Sequence, residues 1–336
     1  MTVDVPVRVG VVGAGLIGGS ICRALRAAGV ADIVVFSPSV STVAEVEKAG
    51  FRTAASVGDA VSMSDVLFVC VPLAVQQSVF ASIADAARVS GRKDLVVSDV
   101  ASVKGDDAAK ATAMFDSVGV AYVPGHPMAG TEESGFAASS GDMFEGATWV
   151  LCPGGSSPHH VLPLLRLVLA MKAKVSLLDV ESHDRGVAAI SHLPYALAAA
   201  LVNVLPDSDE RTLAMRLAAG SFRDVSRVAG SEPWLSASML NFNSVHVRRK
   251  LADAMASLAE VHAALERGDD AAVLAFFERA RSVRAAYSEV KSSTDTDTVE
   301  VPHDGAVPAL TAMCTAGALV RSVEVVGDRW NVVLER

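Results

Sequence analysis

The chain has 336 residues, 51% of them hydrophobic, with 38 acidic against 29 basic side chains and a formal net charge of -9. That length accommodates two domains at roughly 100 to 200 residues each, with apolar content for two cores. The basic residues are scattered rather than gathered in runs, which excludes the electrostatic footprint of a nucleic-acid binder but not a small anionic substrate, which needs only one or two placed cations.

Met1 to Pro6 contain an acid and no basic residue, so no secretory signal is expected and residence is expected to be cytoplasmic. Cys22, Cys70, Cys152 and Cys314 stand far apart, without metal-ligand spacing or a paired framework; they are read as reduced core thiols, and no metal is expected. The first half alternates β-branched runs with longer helical patterns. The runs are Val7 to Val12, Ile33 to Phe36, Val66 to Val71, Leu95 to Asp99, Ala121 to Val123 and Thr148 to Leu151, the signature of a parallel α/β sheet. Gly29 and Gly50 follow helix-like segments, as expected where a helix closes on a left-handed residue.

After a last strand candidate, Val175 to Leu178, the character changes. Ser182 to Leu205, Arg211 to Leu217 and Met239 to Arg284 are Ala-rich and helical in pattern. Gly186 to Leu205 is the most apolar long stretch, but Ser191, His192, Pro194 and Asn203 interrupt it, and a helix buried in a domain or dimer core is expected rather than a membrane span. Polar Ser292 to Asp304 then leads to Val320 to Val326 and Trp330 to Leu334, separated by Gly327-Asp328-Arg329, which read as a small hairpin. The expected organisation is a dinucleotide-binding domain over 1–178, a helical substrate and dimerisation domain over 179–290, and a tail over 291–336.

Between the first strand and the first helix lies Gly13-Ala14-Gly15-Leu16-Ile17-Gly18, which fits G-x-G-x-x-G in its strand-to-helix setting. Gly13 serves the tight turn, Gly15 lets the backbone approach a pyrophosphate, and Gly18 allows close helix packing. The N–H groups of this turn, including those of Leu16 and Ile17, face the phosphates at the positive helix end. This implies a Rossmann-type doubly wound sheet, with Val71 and Pro72, at the end of the third strand-like run, also assigned to the cofactor. The second strand ends in Phe36-Ser37-Pro38-Ser39, without the acid that would receive the ribose hydroxyl of NAD. With no carboxylate to repel a 2'-phosphate, and hydroxyls at Ser37, Ser39, Ser41 and Thr42 to donate to it, NADP is favoured over NAD, an ordinary polar turn being the alternative.

Three further segments carry chemistry: Ser98 to Lys104 (SDVASVK) after the fourth strand, Gly125 to Glu132 (GHPMAGTE) after the fifth, and Phe222 to Arg227 (FRDVSR) in the helical half. The first two sit at carboxyl ends of strands, the edge where open α/β sheets bind ligands. An imidazole there, in a loop between Gly125 and Pro127, suits a general base at neutral pH. With the GLIGGS form of the glycine loop, HDR at His183 to Arg185 and SHLP at Ser191 to Pro194, the chain resembles the prephenate and arogenate dehydrogenase family from Val7 to about Leu258. The resemblance implies that His126 is the catalytic histidine, Ser102 its hydrogen-bonding partner near the nicotinamide, and Arg227 the clamp for the ring carboxylate, in a homodimer built mainly by Asp179 to Arg284.

Each role has a plainer alternative: for Arg227 a surface ion pair with Asp224, for Ser102 a cap on a helix beginning near Val103, and for Thr131 and Glu132 an exposed loop pair instead of the substrate mouth. Many prephenate-using members carry a second histidine after SHLP, where this chain has Tyr195. Together with FRDVSRV this is more similar to the arogenate-using branch, and Tyr195 is assigned to the substrate. Pro194 is expected to kink its helix near the site. The competing readings are a prephenate or dual-specificity cyclohexadienyl dehydrogenase, a β-hydroxyacid dehydrogenase, for which no convincing catalytic lysine motif appears on the helices, and a non-catalytic NADP-binding sensor.

Overall fold

The computed structural model describes residues 7–131, 133–205, 207–292 and 294–336. The chain divides into two compact units, Met1–His183 with Thr296–Arg336, and Asp184–Asp295. In the first unit, β-branched runs form the parallel strands β1 (Val9–Val12), β2 (Ile33–Phe36), β3 (Arg52–Thr53), β4 (Val66–Val69), β5 (Val96–Asp99) and β6 (Ala121–Tyr122). Their order is β3-β2-β1-β4-β5-β6, the doubly wound Rossmann order with its switch between β1 and β4. Strands β1, β4 and β5 are buried along their whole length, as expected when helices cover both faces of a parallel sheet. Those helices are α1 (Leu16–Ala27), α2 (Val40–Lys48), α3 (Val57–Ser62), α4 (Leu73–Ser90) and α5 (Gly105–Asp116). Gly29 and Gly50, at φ 94° and 79°, close α1 and α2 in the left-handed conformation that glycine adopts without penalty.

The run Thr148 to Leu151, expected in this sheet, belongs to a second one. There β7 (Gly125–Pro127) pairs antiparallel with β8 (Thr148–Leu151), and β8 pairs parallel with β9 (Lys174–Leu177) beyond α6 (Pro158–Ala170). Trp149 of β8 is fully buried and meets Phe68 of β4 edge-on at 6.1 Å, so one aromatic contact ties the two sheets. His126 therefore stands within a strand rather than in a loop; its backbone opposes Val150.

The helical unit takes in most of the run Val180–Asn203, formed by α7 (Val180–Val187), a π-turn over Ala188–His192 and α8 (Leu193–Asn203). Pro194 cannot donate to the helix ladder and would crowd the carbonyl four residues back. The wide turn immediately before it is where the register adjusts. By length and composition this run could cross a membrane, yet its His192 is fully buried while Ile190 is 70% exposed. There follow α9 (Asp209–Leu217), α10 (Gly220–Ser226), α11 (Pro233–Phe242), α12 (Ser244–Glu266) and α13 (Asp270–Ser292).

The stretch set apart above as a tail returns to the first unit. Strand β10 (Thr296–Pro302), α14 (Ala306–Thr315), β11 (Leu319–Val326) and β12 (Arg329–Glu335) extend the second sheet in the order β10-β12-β11-β9-β8-β7. The hairpin is β11–β12, and the polar run before it, read as a connection, is an edge strand whose Val299 opposes Val332. Trp330, Val332 and Leu334 are fully buried in the same core as β1 and β9.

Candidate active site

Gly13 turns the chain out of β1 at φ 97°. A Cβ there would lie 2.3 Å from the Cys70 carbonyl oxygen, and one on Gly18 would lie 1.9 Å from that of Gly13. Both glycines answer to the protein's own backbone. Gly15 does not, because a Cβ there would meet no atom of the described residues within 4 Å. It opens on space at the start of α1, which has no side-chain cap and no acid in its first turn. An uncapped helix start beside a position with no Cβ fits a pyrophosphate approaching the N–H groups of Leu16 and Ile17. Val71 flanks the turn, its Cγ1 3.1 Å from a Cβ on Gly13, and Pro72 stands at the N-cap of α4.

The segment after the GHPMAG strand is clasped to α1. Ser140 N–H donates to Ser20 Oγ at 3.0 Å, Arg23 Nε to Ser139 Oγ at 2.8 Å, and the Arg23 guanidinium lies 4.8 Å from the Phe136 ring. A side chain on Gly19 would strike Ser139 and Phe136. Beyond β2, Ser39 is the cap of α2, accepting Thr42 N–H at 3.3 Å, while the hydroxyl of the half-buried Ser37 accepts Ser39 N–H at 3.3 Å.

At the end of β5, Asp99 is a buried hub. Its Oδ2 accepts from Lys104 Nζ at 2.6 Å, Gln76 Nε2 at 3.0 Å and Ala101 N–H at 3.1 Å. Its Oδ1 accepts from Tyr122 OH and Gly125 N–H, each at 3.1 Å. Lys104 Nζ also donates to Gly125 O at 2.5 Å, so the ion pair grips both backbone polar groups of the residue before His126. Burial first, and the Asp99 charge second, hold the Tyr122 phenol well above its ordinary pKa, keeping it a donor. Gly125 is required by packing, since a Cβ would stand 2.7 Å from Asp99 O and 3.1 Å from Trp149 Nε1.

His126 is 9% exposed, and its Nδ1 lies 2.9 Å from Nε2 of His183. Ser102, expected as its partner, is half-buried and makes no hydrogen bond to it among the described residues. Nor does Ser102 cap a helix, because α5 begins at Gly105 with Lys104 at its N-cap. The backbone instead spends those residues on reaching the Asp99 hub. Nothing local in SDVASVK or HDR signals that Asp99 and Lys104 bind Gly125 or that His183 meets His126; only the fold brings them together.

Thr131 is exposed and accepts Glu133 N–H at 3.3 Å; Glu132 lies outside the described residues. In the helical unit, Arg227 is exposed at the start of a 3-10 turn. The pair with Asp224 weighed above does not form, since Asp224 meets Arg223 at 3.5 Å, and Arg227 has no ion pair among the described residues. Tyr195 is half-buried in α8. Three residues earlier, Nδ1 of His192 lies 3.1 Å from Asn243 Nδ2, which also donates to the Asp184 carbonyl at 2.8 Å.

Residues 21–177 match the family model of the prephenate dehydrogenase nucleotide-binding domain, and 179–279 that of the prephenate dehydrogenase dimerization domain. The chain is 30% identical over 285 residues to the cyclohexadienyl dehydrogenase of Zymomonas mobilis, covering 83% of this chain and 95% of that one. Among solved structures it is similar to Synechocystis arogenate dehydrogenase, with TM-score 0.73, 28% identity, and coverage of 83% of this chain and 99% of the other. It shares the fold of A. aeolicus prephenate dehydrogenase solved with hydroxyphenyl propionate and NAD+, at TM-score 0.74 and 24% identity over 83% of this chain and 98% of that one.

Proposed function

Because the chain belongs to the prephenate and arogenate dehydrogenase family and is an NAD(P)-dependent dehydrogenase, we propose that it oxidises and decarboxylates arogenate to tyrosine with NADP. The observation that carries this reading is the immobilised imidazole of His126. The Asp99 hub at the carboxyl end of β5 holds its strand, and the glycine turn follows the carboxyl end of β1 in the same sheet. Only β4 separates those two strands, a span of about 10 Å at the usual strand spacing.

In the reaction His126 takes the hydroxyl proton of the cyclohexadienol as hydride leaves the carbinol carbon. The nicotinamide, when bound, supplies the hydride acceptor. Loss of the ring carboxylate as carbon dioxide then yields the aromatic ring. Arg227, with no competing ion pair among the described residues, is assigned to that carboxylate as a bidentate clamp. Ser102, its hydroxyl uncommitted among the described residues, is assigned beside the nicotinamide, and Tyr195, Thr131 and Glu132 to the substrate. Gly13, Gly15, Leu16, Ile17, Gly18, Val71 and Pro72 form the dinucleotide cradle. Ser37, at a β2 end without an acid, is the basis for NADP over NAD, and Tyr195 in place of a second histidine is the basis for arogenate.

The likeness to a cyclohexadienyl dehydrogenase favours dual specificity as the second reading. Steady-state turnover of arogenate and prephenate, each with NADP and NAD, separates the two. The highest kcat/KM is expected for arogenate with NADP; a higher value with prephenate overturns the substrate assignment. We further infer a cytoplasmic homodimer. Leu217, Met255, Leu258, Phe277 and Tyr287 of the helical unit are all more than half exposed in the single chain, an apolar surface that a second copy would cover.

A further inference from the structure

His183 is 1% exposed and comes from a different element than its partner. It sits in the opening turn of α7, where its N–H donates to Asp179 O at 3.0 Å. Asp179 caps that turn, accepting Ser182 N–H and Ser182 Oγ, each at 2.7 Å. His126 is fixed from the other side by β8 and the Asp99 hub. The two rings are thus brought to 2.9 Å between Nδ1 of His126 and Nε2 of His183, nearly perpendicular at 80°, by two anchors that do not depend on each other.

Across such a contact one ring donates and the other accepts. If His183 donates, neutral His126 carries its proton on Nε2 and cannot take another there. If His126 donates from Nδ1, its Nε2 holds a bare lone pair. We propose that His183 is the positioning residue of the base: its Nε2 accepts the His126 Nδ1 proton and so leaves His126 Nε2 to receive the substrate hydroxyl proton. This rests on the reading of His126 as base. In the step, the substrate O–H bond breaks as the Nε2–H bond forms, and the carbinol C–H pair leaves as hydride to the oxidised nicotinamide. The carbon–oxygen double bond forms from the oxygen's electrons. His126 becomes an imidazolium, and His183 stays neutral, accepting from a donor that is now charged and bonds more strongly. The pattern is that of a nucleophile's base held by a third group, applied here to a base that acts on substrate directly.

The test compares His183→Leu, His183→Gln and His126→Asn in steady-state kinetics, with NADP binding measured separately by calorimetry. His183→Leu keeps similar volume but has no acceptor; it is expected to lower kcat about 10²-fold, within the range of general acid–base effects. KM and the NADP Kd should stay within about threefold, the signature of an interaction made in the transition state. His183→Gln can place its amide oxygen near the position of Nε2 and is expected to return kcat to within about tenfold of wild type. A folded His183→Leu enzyme with wild-type kcat, or equal losses in the Leu and Gln variants, overturns the proposal while an inactive His126→Asn leaves the base reading standing. Wild-type kcat in His126→Asn overturns the base reading itself. Nitrogen NMR of wild-type enzyme labelled with 15N-histidine gives an answer independent of variant folding. The neutral His126 signal, identified by its loss in His126→Asn, should show Nδ1 protonated and Nε2 bare, and the reverse overturns the proposal.

Discussion

A methyl group added to Gly18 would lie 1.9 Å from the Gly13 carbonyl oxygen, whereas one added to Gly15, in the same turn, would meet none of the described residues within 4 Å. The two alanine variants should therefore fail differently. Gly18→Ala forces the turn apart and should cost about 1 to 3 kcal/mol of stability, the usual range for overpacking, visible as a lower melting temperature. Gly15→Ala should melt like wild type but bind NADP about tenfold more weakly, equivalent to about 1.4 kcal/mol. Unimpaired NADP binding by Gly15→Ala would remove the pyrophosphate from this turn. Ser37→Asp tests the other end of the cofactor: a carboxylate there should repel a 2'-phosphate and shift preference toward NAD by about one to two powers of ten in kcat/KM. An unchanged NADP efficiency would place the phosphate elsewhere. The strand-to-helix turn at Gly13–Gly18 was legible because its backbone demands depend on spacing within six residues. The partner of His126 was not, because His183 is 57 positions away and only the meeting of α7 with β7 selects it over the nearer Ser102.

Strand β7 was read as a loop for an equally physical reason: Gly-His-Pro has little strand propensity, and its strand character comes from pairing with β8 and from the Asp99–Lys104 pair behind it. Each member of that pair is 1% exposed at its side chain. Replacing one partner strands the other charge in the interior, at a cost of about 3 to 5 kcal/mol. Lys104→Met should therefore lose stability of that order in urea unfolding, and Asp99→Asn combined with it should recover part of the loss. Both variants release Gly125, so kcat should fall more than NADP binding does. Unfolding midpoints equal to wild type for Lys104→Met would deny the pair its structural role. The edge strand β10 escaped detection in a similar way: five of its seven residues are exposed, and a polar strand at a sheet edge looks locally like a connection.

For the molecule as a whole, the change of composition near Asp179 marked where a helical region begins, since Ala-rich periodicity accumulates over many residues. The apolar residues Met255, Leu258 and Leu265 of α12, all more than half exposed, recur at helical spacing and form a stripe that the single chain leaves uncovered. Met255→Glu with Leu258→Glu should shift the sedimentation mass from two chains toward one, and an unchanged dimer would put the interface on another face. Arg227→Ala should raise the substrate KM about tenfold with NADP binding intact, the loss of one charge-assisted hydrogen bond of roughly 1.5 kcal/mol. An unaltered KM would leave the exposed Arg227 without a part in substrate binding. What no local pattern announced was the return of residues 296–336 to the first unit, where Val320 pairs with Val175 across the intervening helical unit in sequence. That return has a meaning in time. At about 5 to 20 residues per second of synthesis, β9 precedes β11 by roughly seven to thirty seconds. Throughout that interval the faces of β9 and α6 that β11 and α14 will cover have nothing to pack against. The first unit thus reaches its native core only after the helical unit has emerged, and until then the nascent chain is open to aggregation on the uncovered faces of β9 and α6.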